Sequence, residues 1–257
     1  MPKERVDIAM VARNLAPTRE AAQRLIAAGR VRSGTTTFVK PSQMVDSEAP
    51  LEVTEPEKYV SRGGLKLEAA LREFAVDVSR LVCLDVGAST GGFTDCLLQH
   101  GASRVLAVDV GKGQLHQKLR EDPRVVVMEG VNARRLPALE IQLPPVNREL
   151  ARPPALFVAD VSFISLRLVL PSVAGRLLPG TPGVVLLKPQ FEAGRKDVPR
   201  GGVIRDEAVL QRVRREFVEW LEGAGWRLYG MIASPIRGGD GNTEYLAHLE
   251  TPEKHEL

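Results

Sequence analysis

Two rhythms of apolar residues run along this chain. From residue 61 onward, short unbroken apolar runs alternate with stretches whose apolar positions recur every three or four residues. Runs of the first kind suit strands buried on both faces, and the second kind suits helices that cover them. The pattern predicts strands at 82–86, 104–109, 124–128, 155–160, 183–188, 226–232 and 244–250. It predicts helices at 64–74, 92–99, 114–120, 165–176 and 206–223. Alternation of this kind specifies an α/β fold, a Rossmann-like parallel sheet with helices on both faces. No helical stretch separates the last two runs, so they should close the sheet as an antiparallel hairpin.

The first sixty residues read differently. Val6, Ile8, Met10, Val11 and Leu15 mark a short helix that Pro17 interrupts. Thr18 is a good N-cap for a second helix over 19–28, with Gly29 in the position that ends it. Val31, Phe38–Val39 and Leu51–Val53 suggest small strands around a Ser33-Gly34 turn. So small a unit has a marginal core of its own. The expected organisation is therefore a small α+β unit, 1–60, attached to a larger domain, 61–257.

Composition narrows the classes. Of 257 residues 44% are hydrophobic, enough for an ordinary core. No apolar run approaches the roughly 18 residues of a membrane span, and the N-terminus has no apolar signal core. Cys83 and Cys96 form neither a CxxC pair nor a disulfide framework, so a reducing cytoplasm is the expected compartment. His100, His116, His248 and His255 lack metal-ligand spacing, and no metal site is expected.

The net charge of +3 hides an uneven distribution. Residues 1–45 carry eight Lys or Arg against three acids, whereas 46–57 carry five acids and no base. Such a shift marks a domain edge. Arg19 and Arg24, then Arg30 and Arg32 in the exit strand, could present a cationic rim suited to phosphate backbones, particularly those of folded RNA. An ordinary solvated helix face would look the same.

Candidate chemistry begins behind the first strand of the larger domain. Leu81-Val-Cys-Leu84 runs into Asp85-Val-Gly87-Ala88-Ser89-Thr90-Gly91-Gly92-Phe93. An apolar strand, a glycine-rich turn and a helix form the grip that doubly wound sheets use on nucleotide-like cofactors. Asp109 closes the next strand, where a ribose-binding carboxylate is expected. A dinucleotide fingerprint starting at Gly87 would need glycine at 89, where this chain has serine. Asp85 would repel a pyrophosphate but suits a cationic centre. S-adenosylmethionine, a sulfonium with an amino group, fits. Asn132, after the third strand, could reach the adenine end or merely cap a loop.

Ligands in open α/β sheets bind beyond the carboxyl ends of the strands. Asp160 and Lys188 each follow an apolar strand there, and a carboxylate and lysine so placed should face each other. On their own they indicate one structural ion pair. Residues 137–154 hold five prolines and read as a stiff excursion. Residues 192–205 carry Arg195, Lys196, Arg200 and Arg205 among glycines and read as a mobile basic flap, for contact with an RNA backbone or closure over the substrate, or as a solvated loop.

Resemblance adds to this. Arg5-Val-Asp7 with Thr18-Arg19-Glu-Ala-Ala-Gln-Arg24-Leu-Ile-Ala-Ala-Gly29-Arg-Val31 resembles the S-four-type (alpha-L) RNA-binding domain, departing from it at Ser33-Gly34-Thr35. Lys66, in Ser61-Arg-Gly-Gly-Leu-Lys66-Leu, together with Asp160, Lys188 and Glu244, matches in order the Lys-Asp-Lys-Glu set of FtsJ-like ribose methyltransferases. With Asp160-Val-Ser-Phe-Ile-Ser-Leu166 and Lys188-Pro-Gln-Phe-Glu192, nearly the whole chain resembles the TlyA family.

That resemblance implies methyl transfer from S-adenosylmethionine to a cytidine 2′-hydroxyl in small- or large-subunit ribosomal RNA, with ribosomal RNA or a subunit as partner. Within that set Lys188, at the rim of the sheet, is the candidate general base, with Asp160 orienting it and Lys66 and Glu244 positioning the ribose and balancing charge. A lysine serves as a base only where burial or a neighbouring cation favours its neutral form. Two other readings stand beside this one. A membrane-lytic haemolysin, a label common in the family, should show an insertion segment. A non-catalytic RNA-binding protein would not need both lysines and both acids.

Overall fold

The computed structural model describes residues 2–54, 58–137 and 153–253. The chain divides into two units, Met1–Glu57 and Lys58–Leu257, three residues ahead of the boundary expected at 60. Most of the proline-rich stretch, 138–152, lies outside the described residues, as does His255.

The smaller unit contains β1 (Lys3–Arg5), α1 (Val6–Ala12), α2 (Arg19–Ala27), β2 (Val31–Ser33), β3 (Thr36–Phe38), β4 (Met44–Asp46) and β5 (Glu52–Val53). Thr18 caps α2 as the sequence predicts, its Oγ1 accepting from the Ala21 N–H at 3.1 Å. Strand β1 pairs antiparallel with β4, and β2 lies between β3 and β5. Val6, Met10, Ile26, Val31, Phe38 and Val45 form the core. The pairing of β1 with β4 is not anticipated from sequence, because Lys3-Glu-Arg5 has no apolar alternation.

The larger unit contains α3 (Gly63–Glu73), β6 (Val82–Val86), α4 (Gly92–Gln99), β7 (Arg104–Asp109), α5 (Gln117–Arg120), β8 (Val125–Glu129) and β9 (Leu156–Ala159). There follow α6 (Leu166–Ala174), β10 (Pro182–Leu187), α7 (Pro189–Glu192), α8 (Glu207–Gly223), β11 (Arg227–Ala233) and β12 (Tyr245–Glu250). One seven-stranded sheet has the order β11-β12-β10-β9-β6-β7-β8. Only β12 runs against its neighbours, completing the expected hairpin with β11. Alternate residues of each strand serve opposite faces. Leu84 and Val86 join a core with α6 and α8, whereas Cys83 joins one with α3 and α4.

One predicted element differs, and one forms that the pattern does not predict. The helix expected over 114–120 is confined to Gln117–Arg120, because Gly113 takes positive φ and the helix begins only after His116, whose Nδ1 caps it. A one-turn helix, α7, follows β10, opened by Pro189 in the first-turn position that proline favours. The carboxyl ends of β6, β7, β9 and β10 share one edge of the sheet, where β12 begins.

A candidate active site at the carboxyl edge of the sheet

Strand β6 leads into a turn held tightly against its neighbours. The N–H groups of Gly87 and Ala88 both donate to the Val108 carbonyl, at 2.8 and 3.1 Å. Gly87 has φ +87°, and a Cβ there would lie 2.4 Å from the Asp160 carbonyl oxygen. Only glycine permits so close an approach between the exits of β6 and β9. At the head of α4, a Cβ on Gly92 would lie 2.3 Å from Ser61 Oγ. The starts of α3 and α4 therefore press together beside the turn.

Two cavities flank this turn and share Gly87, Ser89 and Asp160 in their walls. The larger, about 450 Å³, is also lined by Asp109, Val110, Asn132 and Phe163. The smaller, about 230 Å³, is also lined by Arg62, Lys66, Ala88, Thr90, Gly92 and Phe93. The predicted turn residues thus meet in one place. Gly91, at φ +99°, caps α4 behind them.

Asp109 accepts from the Ser89 N–H on Oδ2 (2.8 Å) and from the Gly111 N–H on Oδ1 (2.7 Å). Each oxygen keeps a lone pair for a ligand hydroxyl. Asn132 caps the short turn Ala133–Arg135 through Oδ1, which accepts from the Arg134 N–H at 2.9 Å. Both roles left open for Asn132 are therefore compatible, since its amide N–H groups stay available at the cavity wall.

Asp85 lies beneath the turn, fully buried, and lines neither cavity. Thr94 Oγ1 donates to its Oδ2 at 2.6 Å, while Oδ1 has no partner among the described residues. Burial, reinforced by the charges of Asp160 and Asp109, pushes its carboxyl from 3.8 up to about 7. Between these values the folded protein keeps a proton on Asp85 that the unfolded chain has lost. Asp85 therefore lowers stability progressively as pH rises from about 4 to about 7. In thermal melts of ligand-free protein, Asp85→Asn should gain on the wild type across this window and hold its advantage above it. A difference that does not change with pH would exclude Asp85 as the cause.

Four charged residues complete the site as two ion pairs. Lys188 Nζ lies 2.7 Å from Asp160 Oδ1 and donates to Ser162 Oγ at 2.8 Å. Lys66 Nζ, from α3, lies 2.5 Å from Glu244 Oε2, just ahead of β12. The Lys66 and Glu244 side chains are only 10% and 3% exposed. Lys66 and Asp160 line the same cavity, so the two pairs border a common space. Lys188 itself is buried behind Asp160 and Ser162.

Two supports of the site leave no mark in the sequence. Ser162, two residues after Asp160, gives Lys188 a second partner. Glu192, one helical turn after Lys188, accepts from Ser165 Oγ (2.6 Å) and the Leu166 N–H (2.7 Å). It clips the loop after β9 to α7, and its burial raises its carboxyl above the usual range. Phe163, in the same loop, has φ +63°, is 90% exposed, and lies 5.2 Å from the Phe191 ring.

In the smaller unit, the predicted cations are partly engaged. Arg5 donates twice to the buried Asp7, at 3.0 Å each, and Arg19 and Gln23 donate to it at 2.9 and 3.1 Å. Asp7 is held well below the usual carboxylate range, chiefly by Arg5. Arg30 Nε donates to the Thr54 carbonyl, and Arg32 pairs with Glu52 at the surface. Arg24 is exposed. Among the described residues, no group of acids, histidines and cysteines could hold a metal ion, and no helix is long and apolar enough to cross a membrane.

Comparison with known proteins gives three likenesses of near full length beside a family match. The family model for FtsJ-like methyltransferases matches residues 59–251. The chain is 44% identical over 251 residues to the 16S/23S rRNA (cytidine-2′-O)-methyltransferase TlyA of Mycobacterium tuberculosis, covering 97% of this chain and 90% of that one. It is 42% identical over 232 residues to Hemolysin A of Brachyspira hyodysenteriae, covering 90% and 93%. A solved structure from Streptococcus thermophilus, described as a hemolysin, matches with TM-score 0.71 and 43% identity, covering 99% of this chain and 90% of that one.

Proposed function

This chain belongs to the FtsJ-like methyltransferase family, and from that premise we propose that it methylates a cytidine 2′-hydroxyl of ribosomal RNA, using S-adenosylmethionine. The observation that carries this reading is the pairing of Lys188 with Asp160 and of Lys66 with Glu244 around cavities that adjoin the glycine turn. Asp109, Asn132 and the turn Gly87–Phe93 are the residues that would hold the adenosine and methionine parts of the cofactor. When bound, S-adenosylmethionine supplies an electrophilic methyl carbon on its sulfonium.

The protein's own task is to deprotonate and aim the ribose hydroxyl. Lys188 would accept the proton that the ribose 2′-hydroxyl gives up as its oxygen is methylated. A lysine ammonium has three N–H groups. One is donated to Ser162 Oγ, and Asp160 Oδ1 lies 2.7 Å from the nitrogen, so these two contacts fix how Nζ is presented to the ribose. Ser162→Ala should therefore lower kcat about tenfold, the worth of one charge-assisted hydrogen bond, with cofactor affinity unchanged. Ser162→Thr should restore most of the loss. If Ser162→Ala turns over normally, this aiming role is wrong.

The smaller unit supports the RNA substrate through the cations Arg5, Arg19, Arg24, Arg30 and Arg32, of which Asp7 orients two. Action on ribosomal RNA would place the protein in the cytoplasm. Labelled methyl transfer to purified 30S and 50S subunits, followed by digestion to nucleosides, tests the proposal. It requires 2′-O-methylcytidine, and labelled base would refute it. The name of the Brachyspira relative favours a second reading, membrane lysis, which would leave the two ion pairs without a task. Vesicle leakage without methyl transfer would select it.

A further inference from the structure

We propose that the loop between α7 and α8 is a phosphate clamp that grips the RNA backbone beside the target ribose. This rests on the RNA-methylating reading and adds a second RNA-binding surface to it, on the catalytic unit itself. Arg195, Lys196, Arg200 and Arg205 are all exposed, and none has an ion-pair partner among the described residues. Nearby acids are committed elsewhere. Asp197 pairs with Arg212 of α8 at 2.6 Å, Asp206 caps α8 through the Ala208 N–H, and Glu192 holds Ser165 and Leu166. On α8, Arg212 and Arg215 each have a glutamate four residues on, and Arg214 lies over the Tyr245 ring. The loop therefore concentrates positive charge that no acid compensates.

The loop's course is also defined. One root is α7, immediately after Lys188. The other is fastened by Asn242, 1% exposed, whose Oδ1 accepts from the Ile204 N–H (3.0 Å) and whose amide donates to the Gly202 carbonyl (2.9 Å). Asn242 stands two residues before Glu244. The loop thus bridges the segments that carry Lys188 and Glu244. A fixed cationic strip so placed is suited to the phosphates on either side of a ribose held between those residues, and it reads charge and shape, with no means of reading base edges.

The test uses the full chain with ribosomal RNA transcripts and intact subunits as probes. In R195Q/K196Q/R200Q/R205Q, KM for RNA should rise at least tenfold at physiological salt, with kcat at saturating RNA and cofactor affinity unchanged. The slope of log affinity against log salt should fall by about 0.7 for each phosphate no longer neutralised, as for unpaired strands. A control, R72Q/R80Q, removes charge at the opposite edge of the sheet and should leave both quantities near wild type. An unchanged KM and salt slope, or an equal effect of the control, overturns the clamp. Weaker binding to subunits but not to naked transcripts would also overturn it, by pointing to a ribosomal protein as the partner. Failure of the underlying reading is separable, because then the wild-type protein itself would methylate no RNA.

Discussion

Lys188→Ala should lower the rate of methyl transfer by about 10²–10⁴-fold, the usual contribution of a positioned general base. Cofactor affinity should stay within about threefold, because the glycine turn, Asp109 and Asn132 are untouched. Lys188 lies behind Asp160 and Ser162, and those two residues line the larger cavity. Removing the lysine leaves Asp160, part-exposed to water, free to be solvated, so the fold should survive. Lys188→Arg discriminates between roles. Arginine keeps the positive charge but cannot give up its proton near neutral pH. If Lys188 acts as the base, the arginine variant is as inactive as the alanine one. If Lys188 serves only to neutralise charge, arginine restores activity. Single-turnover rates with saturating cofactor, alongside calorimetric binding of S-adenosylmethionine, would separate these outcomes.

Glu244→Ala should be the most destabilising change at the site. The Lys66–Glu244 pair is nearly buried, and deleting one member leaves an uncompensated charge, which typically costs about 3–5 kcal/mol. For a unit of this size that corresponds to a fall in melting temperature of roughly 10 °C. The structure also predicts how to recover it. Replacing both members, as in K66M/E244L, removes the stranded ammonium and should return stability to near the wild-type level, as isosteric apolar replacements of buried pairs often do. Methyl transfer should be abolished in both variants, since the ion pair that places Lys66 at the cavity is broken or gone. Recovery of both stability and activity in the double variant would make the pair purely structural. Full stability of Glu244→Ala would show that water reaches Lys66 freely.

Much of the larger domain is legible in the chain because its central strands are buried on both faces. Leu81–Leu84 and Val105–Val108 stand out as apolar runs, each followed by a single acid, Asp85 and Asp109, and nothing else in those windows competes. The smaller unit is less legible. Strands β1 and β4 are three residues long, and Lys3-Glu-Arg5 becomes a strand only because Met44–Asp46 pairs with it. Spacing likewise gives no sign that Lys66 meets Glu244, 178 positions away; a motif resemblance brings them together. Asp85 reads as a cavity acid from its place before the turn, but β6 is covered on both faces, and Asp85 points into the layer beneath α4 to meet Thr94. Arg19 reads as part of a cationic rim and Arg5 as part of the RNA-binding motif, yet both converge on the buried Asp7 of α1. Ser162 and Glu192 escape notice because their partners lie on other loops, which no periodicity along one segment reports.

The central claim is that this site methylates a ribose 2′-oxygen of RNA with Lys188 as the base. Transfer of tritiated methyl to ribosomal RNA, followed by alkaline hydrolysis, tests it most directly, because a 2′-O-methyl group blocks cleavage of the adjoining phosphodiester. The wild-type protein should place its label in an alkali-resistant dinucleotide whose 5′ nucleoside is cytidine, and Lys188→Ala should place almost none. Label released as a mononucleotide, or undiminished labelling by Lys188→Ala, would contradict it.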